Sequence, residues 1–402
     1  MCSSATHTHG RTDGAYHLPT YLPTTPLAAP ANQTGKPTSG GSDPEWAFAG
    51  TDVICLVGGF PRKKGMERKD LIAKNTTIFS AQGRALQKVG SRASQAAAGR
   101  GTTDCTTDLT SACFPPVVFF YLLATHSLPT RFLSLSLSLS CLLQRNYPNH
   151  QVGKPDAKVL VVANPANTNA NILMRHAPKI PRANFTAMTR LDHNRARAML
   201  AAKAGGGGHG AGGAVAVGAV KNMVIWGNHS ATQVPDAAHA IVGGVPAREA
   251  VLGGGDDGAA WLEGAFTKGV QQRGAAVIAA RGASSAMSAA NGAADHMRDW
   301  LGSYGGSVAA GAGYTSMAVC SDGNPYQTAA CDGAPLVPEG LIYSFPCSCE
   351  GGKWYIVPGL DIDARTAAMM RATAAELLEE KAAADDAVKA ADAAAAGGGA
   401  KL

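Results

Sequence analysis

Two short segments of the chain carry an acid, a base and an imidazole. The first reads TRLDHNRAR, and in it Asp192 and Arg195 are three residues apart and share a face of a predicted helix. The second reads NMVIWGNHS, an apolar strand that runs into a glycine, with His229 after the turn. Taken alone, the Asp–Arg pair is typical of a solvated ion pair, and His229 of a loop histidine. Taken together, they predict a charge-oriented base, in which His229 accepts a proton, Asp192 orients its ring and Arg195 binds a carboxylate through two parallel hydrogen bonds.

A third segment, GGFPRKKGMERKD, follows an apolar run and carries Arg62 and Arg68. A loop with two separated arginines could close over a dianion and exclude water. An ordinary basic surface loop has the same composition, and composition alone favours that alternative.

Two β-branched runs identify the elements that must position these side chains. DVICLV spans 52–57 and ends at Gly58-Gly59, and KVLVVA spans 158–163 and ends at Asn164-Pro165. Short apolar runs that end in turn signals predict buried parallel strands, and the intervening helical stretches favour a doubly wound sheet. Since ligands bind at the carboxyl ends of such strands, the glycines and Asn164 are predicted to lie at a site.

Composition excludes several partners. The net charge of +6 is spread over 402 residues without a run of like charge, so nucleic acid is not favoured as a partner. The apolar stretches within 114–140 are interrupted before the roughly 20 residues that a membrane helix needs. The nine cysteines show no zinc-like spacing, so we expect free thiols and no metal.

The composition changes along the chain and predicts that the dinucleotide-binding domain is incomplete. Gly35, Gly40 and Gly41 do not follow an apolar strand, so the phosphate-binding βαβ unit that opens a dinucleotide-binding domain is predicted to be missing. We therefore expect an α/β fold with an incomplete doubly wound, Rossmann-like parallel sheet followed by an α+β substrate or catalytic domain. The predicted parts are a disordered tail at 1–43, a truncated dinucleotide-binding domain at 44–185 with a low-complexity insertion at 93–150, a substrate domain at 186–385 and a disordered tail at 386–402.

The order of longer segments resembles one family. The segments GGFPRKKGMERKD, VVANPANTNA, TRLDHNRA, WGNHSATQVPD, VQQRGAAVI and SSAMSAA resemble signature segments of malate dehydrogenases, in that family's order. GLIYSFPCSCEGGKWYIVPGLDID and TAAELLEEK resemble its C-terminal segments. The resemblance covers roughly 51–92 and 154–381 and is nearest to the cytosolic, NAD-dependent type within the lactate/malate dehydrogenase superfamily.

The resemblance implies a role for each matching residue. His229 would be the catalytic acid/base with Asp192 as its partner, Arg195 would bind the carboxylate beside the reacting carbon, Arg62 the far carboxylate, and Arg68 would polarise the carbonyl. Asn164 would contact both substrate and nicotinamide. The remaining implied residues line the cofactor (Asn75, Gln82, Val162 and Ala163) or lie near the substrate pocket (Ser284 and Ser285).

The implied reaction is reversible hydride transfer between (S)-malate and NAD, giving oxaloacetate and NADH, in a cytoplasmic homodimer. NADP stays open as the cofactor because no acidic ribose-binding residue is found. The last three residues, Ala400-Lys401-Leu402, loosely resemble a peroxisomal address. The alternative function is a catalytically inactive remnant or a misassembled gene product that retains only a dimerising substrate-domain module.

Overall fold

The structure is a computed structural model, and it describes residues 44–48, 51–60, 66–98, 117–120, 156–206, 215–251, 256–282, 284–302 and 313–397. The strands are β1 Val53–Leu56, β2 Val117–Phe120, β3 Lys158–Val161, β4 Phe185–Ala187, β5 Val220–Lys221, β6 Val224–Trp226, β7 Val234–Asp236, β8 Ile241–Val242, β9 Val245–Pro246, β10 Thr315–Cys320, β11 Ile342–Glu350 and β12 Lys353–Ile356. The helices are α1 Pro44–Phe48, α2 Arg68–Ala98, α3 Ala166–His176, α4 Arg190–Gly206, α5 Ala247–Ala250, α6 Asp256–Trp261, α7 Thr267–Arg281, α8 Met287–Leu301 and α9 Ala364–Gly397.

A seven-stranded mixed sheet is the framework, with the strand order β12-β11-β10-β4-β3-β1-β2. The strands from β4 to β2 pair in parallel, and β10, β11 and β12 add to the other edge antiparallel. The predicted α/β class and parallel sheet are confirmed. The antiparallel strands were not predicted, and they join the C-terminal half of the chain to the same sheet.

The strands β1 and β3 are buried on both faces, as their continuous apolar sequences predict. Alternate residues of β1 enter different cores, because successive side chains of a strand point to opposite faces. Val53 and Cys55 pack into the core that contains Trp226, whereas Ile54 and Leu56 pack into the core beneath α2 and α3. The carboxyl ends of both strands are thereby fixed side by side.

Two stretches differ from the predicted organisation. The helix α9 continues through 386–397, where a disordered tail was predicted, because the alanine-rich sequence has high helix propensity. Within the predicted insertion at 93–150, residues 93–98 complete α2, and β2 pairs in parallel with β1. Outside the described ranges lie the rest of the predicted insertion, the predicted tail at 1–43 and residues 398–402.

The described residues all belong to one compact unit, 41–402. The predicted boundary at 185/186 falls at the start of β4 and stays a prediction. Among the described residues, no helix is long and apolar enough to cross a lipid bilayer.

Candidate active site

The structure brings His229, Asp192 and Arg195 together from separate segments. Asp192 lies in the first turn of α4, where the helix N-terminus favours a negative charge. Its Oδ2 atom is hydrogen-bonded to His229 Nδ1, and its Oδ1 atom accepts a hydrogen bond of 3.0 Å from Arg195 Nη1. The Asp192 side chain is 1% exposed, and those of His229 and Arg195 are each 15% exposed. A buried carboxylate therefore holds an imidazole and a guanidinium that both keep some contact with solvent.

The turn that carries His229 is built from close backbone contacts. Gly227 follows β6 with a φ of +90°, a backbone conformation that is strained for any residue with a side chain. Its N–H and C=O both pair with Ser344, at 3.2 and 2.9 Å. An added Cβ at Gly227 would lie 2.1 Å from Thr373 Cγ2, so the position also needs glycine for space. The His229 N–H then donates to Asn167 Oδ1 at 3.1 Å, which fixes the backbone of the histidine itself.

The electrostatics of the pair favour a charged form on both partners. Burial lowers the pKa of His229, but the charge and hydrogen bond of Asp192 outweigh burial and raise that pKa above its usual value. The charges of Arg195 and Arg68 act in the opposite direction. Burial raises the pKa of Asp192, but His229 and Arg195 outweigh it and hold that pKa below its usual value. The two shifts favour the ionised carboxylate and the protonated imidazole.

Arg68 begins α2 and is held by the C-terminal helix. Its Nε donates to Glu380 Oε1 at 2.7 Å, its Nη2 pairs with the same oxygen, and Glu376 lies 4.0 Å from Nε. The side chain is 36% exposed. Arg62, in contrast, falls in 61–65, outside the described residues.

The carboxyl ends of β1 and β3 meet at Asn75. The Asn75 Oδ1 atom accepts a hydrogen bond of 2.8 Å from the Phe60 N–H, and its Nδ2 donates to the Asn164 carbonyl at 3.4 Å. An added Cβ at Gly59 would lie 2.7 Å from Asn75 Oδ1 and 3.2 Å from Ala163 Cβ, so only glycine leaves this edge open. Asn164 itself is exposed and is followed by a cis peptide bond.

Two other predicted cofactor residues are placed differently. Val162 is partly buried against the core that contains Trp226. Gln82 is buried two turns beyond Asn75, roughly 10 Å further along α2, and its Oε1 atom has no hydrogen-bond partner in the described part of the chain. The strand ends thus present the exposed side-chain amide of Asn164 and the uncovered backbone at Gly59, which fit the nicotinamide half of a dinucleotide. No described contact brings Gln82 to them. Gly35, Gly40 and Gly41 lie outside the described residues, so the predicted loss of the phosphate-binding unit stays a prediction.

The two predicted serines differ in their contacts. Ser285 Oγ accepts a hydrogen bond of 3.3 Å from Arg195 Nη2, which adds it to the cluster. The Ser284 carbonyl accepts from Arg281 Nη1 at 3.3 Å, on the exposed side of the same turn.

Several residues that hold the site were not predicted. Asn167 supports His229, Thr373 receives the backbone N–H of Asn228 at 2.9 Å, and Glu376 and Glu380 receive the side-chain amide of Asn228. The available signal was the position of both glutamates in the TAAELLEEK segment, four residues apart and hence on one face of a helix.

Comparison with known proteins identifies the family of this chain. Residues 27–98 match the model of the lactate/malate dehydrogenase NAD binding domain, and residues 189–388 match the model of the lactate/malate dehydrogenase alpha/beta C-terminal domain. Malate dehydrogenase of Nicotiana tabacum is 41% identical over 336 residues, which are 82% of this chain and 73% of the relative. Cytoplasmic malate dehydrogenase of Zea mays is 42% identical over the same shares of the two chains.

Solved structures give the same result. A malate dehydrogenase from Naegleria fowleri is 34% identical with a TM-score of 0.60, covering 86% of this chain and 78% of that one. A lactate dehydrogenase from Trichomonas vaginalis in complex with NADH and oxamate is 25% identical with a TM-score of 0.61, covering 87% and 80%. The chain belongs to the lactate/malate dehydrogenase family. It is an oxidoreductase, and its cofactor is NAD. These comparisons confirm the predicted family, fold class and cofactor.

Proposed function

We propose that this chain catalyses reversible hydride transfer between (S)-malate and NAD, giving oxaloacetate and NADH. The observation that carries the proposal is the contact of His229 and Arg195 with the two oxygens of one buried carboxylate, Asp192. A proton acceptor and a carboxylate-binding group are thereby held side by side, as a 2-hydroxy acid requires. The names of the relatives supply the choice of malate as substrate.

His229 would move the proton. Because its Nδ1 faces Asp192, the Nε2 atom is left to accept the proton of the malate C2 hydroxyl. The imidazolium that forms is stabilised by the ionised Asp192, and in the reverse direction it returns the proton to the carbonyl oxygen of oxaloacetate.

The arginines would orient the substrate. A guanidinium has five N–H donors, and Arg195 uses two of them on Asp192 and Ser285 within the described residues. Its other donors suit the carboxylate next to the reacting carbon. Arg68 would polarise the carbonyl, and its positive charge lowers the pKa of His229.

NAD, when bound, takes the hydride from C2 of malate or returns it. Asn164, beside the open backbone at Gly59, would hold the nicotinamide region, and Asn75 fixes that edge by bonding to both strand ends. Val162 and Ala163 lie immediately before Asn164 and would line the same edge.

Oxaloacetate-dependent oxidation of NADH by the purified full-length chain tests the proposal. We expect turnover that saturates with oxaloacetate. A folded chain that neither binds NADH nor oxidises it would instead support the inactive remnant, which no comparison and no described contact favours.

The choice of a dicarboxylate rests on Arg62, whose role stays a prediction from the resemblance. Arg62→Gln should depress oxaloacetate turnover far more than pyruvate turnover, since a lost charge-assisted pair costs on the order of a few kcal/mol. Lys63→Gln in the same segment is the matched control. Equal losses with both substrates would reject the assignment.

Assembly and location are also proposals. We infer a homodimer from the family resemblance, which light scattering of the purified chain tests, and a monomer would reject it. Cytoplasm is our proposed location, because curated relatives carry that word in their names. No comparison supports the peroxisomal address at 400–402, which lies outside the described residues.

A further inference from the structure

Glu380 is a buried carboxylate near the middle of the C-terminal helix α9. Its side chain is 3% exposed. It accepts hydrogen bonds from Arg68 Nε at 2.7 Å and from Asn228 Nδ2 at 2.9 Å, and it also pairs with Thr168 Oγ1. A buried carboxylate is stable only when its oxygens are paired, and these donors come from three separate parts of the chain.

Glu376 lies one turn earlier on the same face and holds the turn after His229. It accepts hydrogen bonds from Ser230 Oγ at 2.5 Å and Thr232 Oγ1 at 2.6 Å, and from Asn228 Nδ2 at 2.9 Å. Burial raises its pKa, but these hydrogen bonds outweigh burial and hold the pKa below its usual value. Glu376 is therefore a charged acceptor directly beside the segment that carries the imidazole.

The two carboxylates are linked through one amide. Asn228, the residue before His229, donates to both of them. Arg68, whose charge acts on the pKa of His229, is bound by the same pair. A single helix face thus contacts the turn of the acid/base and a substrate-binding arginine.

We propose that Glu380 and Glu376 are positioning residues for the reaction, and that Glu380 acts through Arg68 by fixing one edge of its guanidinium. The Nε–Nη2 edge lies on Glu380, and within the described part of the chain the Nη1 atom has no hydrogen bond and is left for an oxygen of the substrate. This inference rests on the proposed function.

Glu380→Gln is the direct test. The glutamine keeps one oxygen, which can still accept from Asn228, and its NH2 group can donate to Thr168 Oγ1, but the charge that holds Arg68 is lost. We expect kcat/KM for oxaloacetate to fall about tenfold or more, a loss that corresponds to about 1.4 kcal/mol of transition-state stabilisation. Glu379→Gln, at the adjacent exposed position of the same helix, is the matched control and should leave kcat/KM within about twofold of wild type.

A double-mutant cycle separates positioning from a structural role. If Glu380 acts through Arg68, Glu380→Gln should change kcat/KM by less than about twofold in an Arg68→Gln background, because the arginine that it orients is gone. Equal losses in both backgrounds, or wild-type activity of Glu380→Gln, would overturn the proposal.

If Glu380→Gln is not recovered folded, the same cycle is run with Glu376→Gln, whose carboxylate is 23% exposed and 4.0 Å from Arg68 Nε. A coupling to Arg68 of about threefold or more is expected, and independent effects would again overturn the proposal. Failure of the proposed function is distinct, because the wild-type chain itself would then show no oxaloacetate-dependent NADH oxidation.

Discussion

Replacing Asp192 by asparagine removes one charge and reverses the polarity of one hydrogen bond at the centre of the site. The side chain is 1% exposed and contacts His229 and Arg195, so no water takes over its role. If the new amide presents its NH2 group to Nδ1, the imidazole must accept there, and its proton moves to Nε2. The nitrogen that faces the substrate would then carry a hydrogen and could not act as a base.

The size of the effect follows from the distance between the charges. Two unit charges about 4 Å apart at an effective dielectric constant of about 20 interact by about 4 kcal/mol. That interaction stabilises the imidazolium that forms as malate is oxidised, and losing it corresponds to a rate loss of about 10³-fold. The value lies within the roughly 10²- to 10⁴-fold range that general acid–base catalysis contributes.

The assay is steady-state malate oxidation by Asp192→Asn, with the melting temperature measured in parallel. We expect kcat to fall about 10³-fold. Removing one partner of a buried charge pair should also lower the free energy of unfolding by about 3–5 kcal/mol, so turnover is measured well below the Tm of the variant. Asp332→Asn, at an exposed aspartate paired with Arg371, serves as the control and should keep full activity. Near-wild-type kcat for Asp192→Asn would refute the reasoning.

Three other predictions follow from the same contacts. Because the pKa of His229 is raised above its usual value and malate oxidation needs the neutral ring, kcat/KM for malate should rise with pH through a pKa above about 6.5. The stabilisation from the ion pair with Asp192 should be lost over the same pH range. A rise of kcat/KM centred below about 6.5 would contradict both expectations. The added Cβ of Gly227→Ala would lie 2.1 Å from Thr373 Cγ2, so this variant should lose clearly more free energy of unfolding in urea than Gly243→Ala. Gly243 also has a positive φ but open space around it, and its substitution should cost about 1–2 kcal/mol. Equal costs would show that the close approach at Gly227 is unimportant. Asn75→Ala loses the bonds to both strand ends and should raise KM for NADH about tenfold, with KM for oxaloacetate changed less; an unchanged KM for NADH would remove Asn75 from the cofactor site.

The parts of the fold that depend on local pattern could be predicted from the sequence. β1 and β3 are short apolar runs that end in turn residues, and the pattern predicted both strands and the site at their carboxyl ends. The spacing of Asp192 and Arg195 predicted their shared helix face. Their proximity to His229 was a hypothesis from the residue types of two distant segments, which the resemblance then supported and no periodicity contains.

The remaining features depend on contacts between distant segments. Glu376 and Glu380 resemble charges of an exposed helix in sequence. Glu380 is a buried acceptor and Glu376 a part-buried one because Asn228 and Arg68 contact them. The antiparallel strand β10 joins the sheet beside β4 through long-range pairing, which a local pattern does not encode. Good helix propensity over 366–395 predicts the terminal helix, and only the tail boundary at 386 was set too early, since α9 continues to Gly397.

The central claim is that His229 transfers the proton of the substrate's C2 oxygen during hydride exchange between the C2 carbon and NAD. The most direct measurement compares oxaloacetate-dependent NADH oxidation by the wild-type chain and by His229→Ala, with NADH binding followed by fluorescence. We expect the variant to bind NADH as the wild type does and to lose at least about 10²-fold in kcat. Comparable turnover by a folded His229→Ala variant would contradict it.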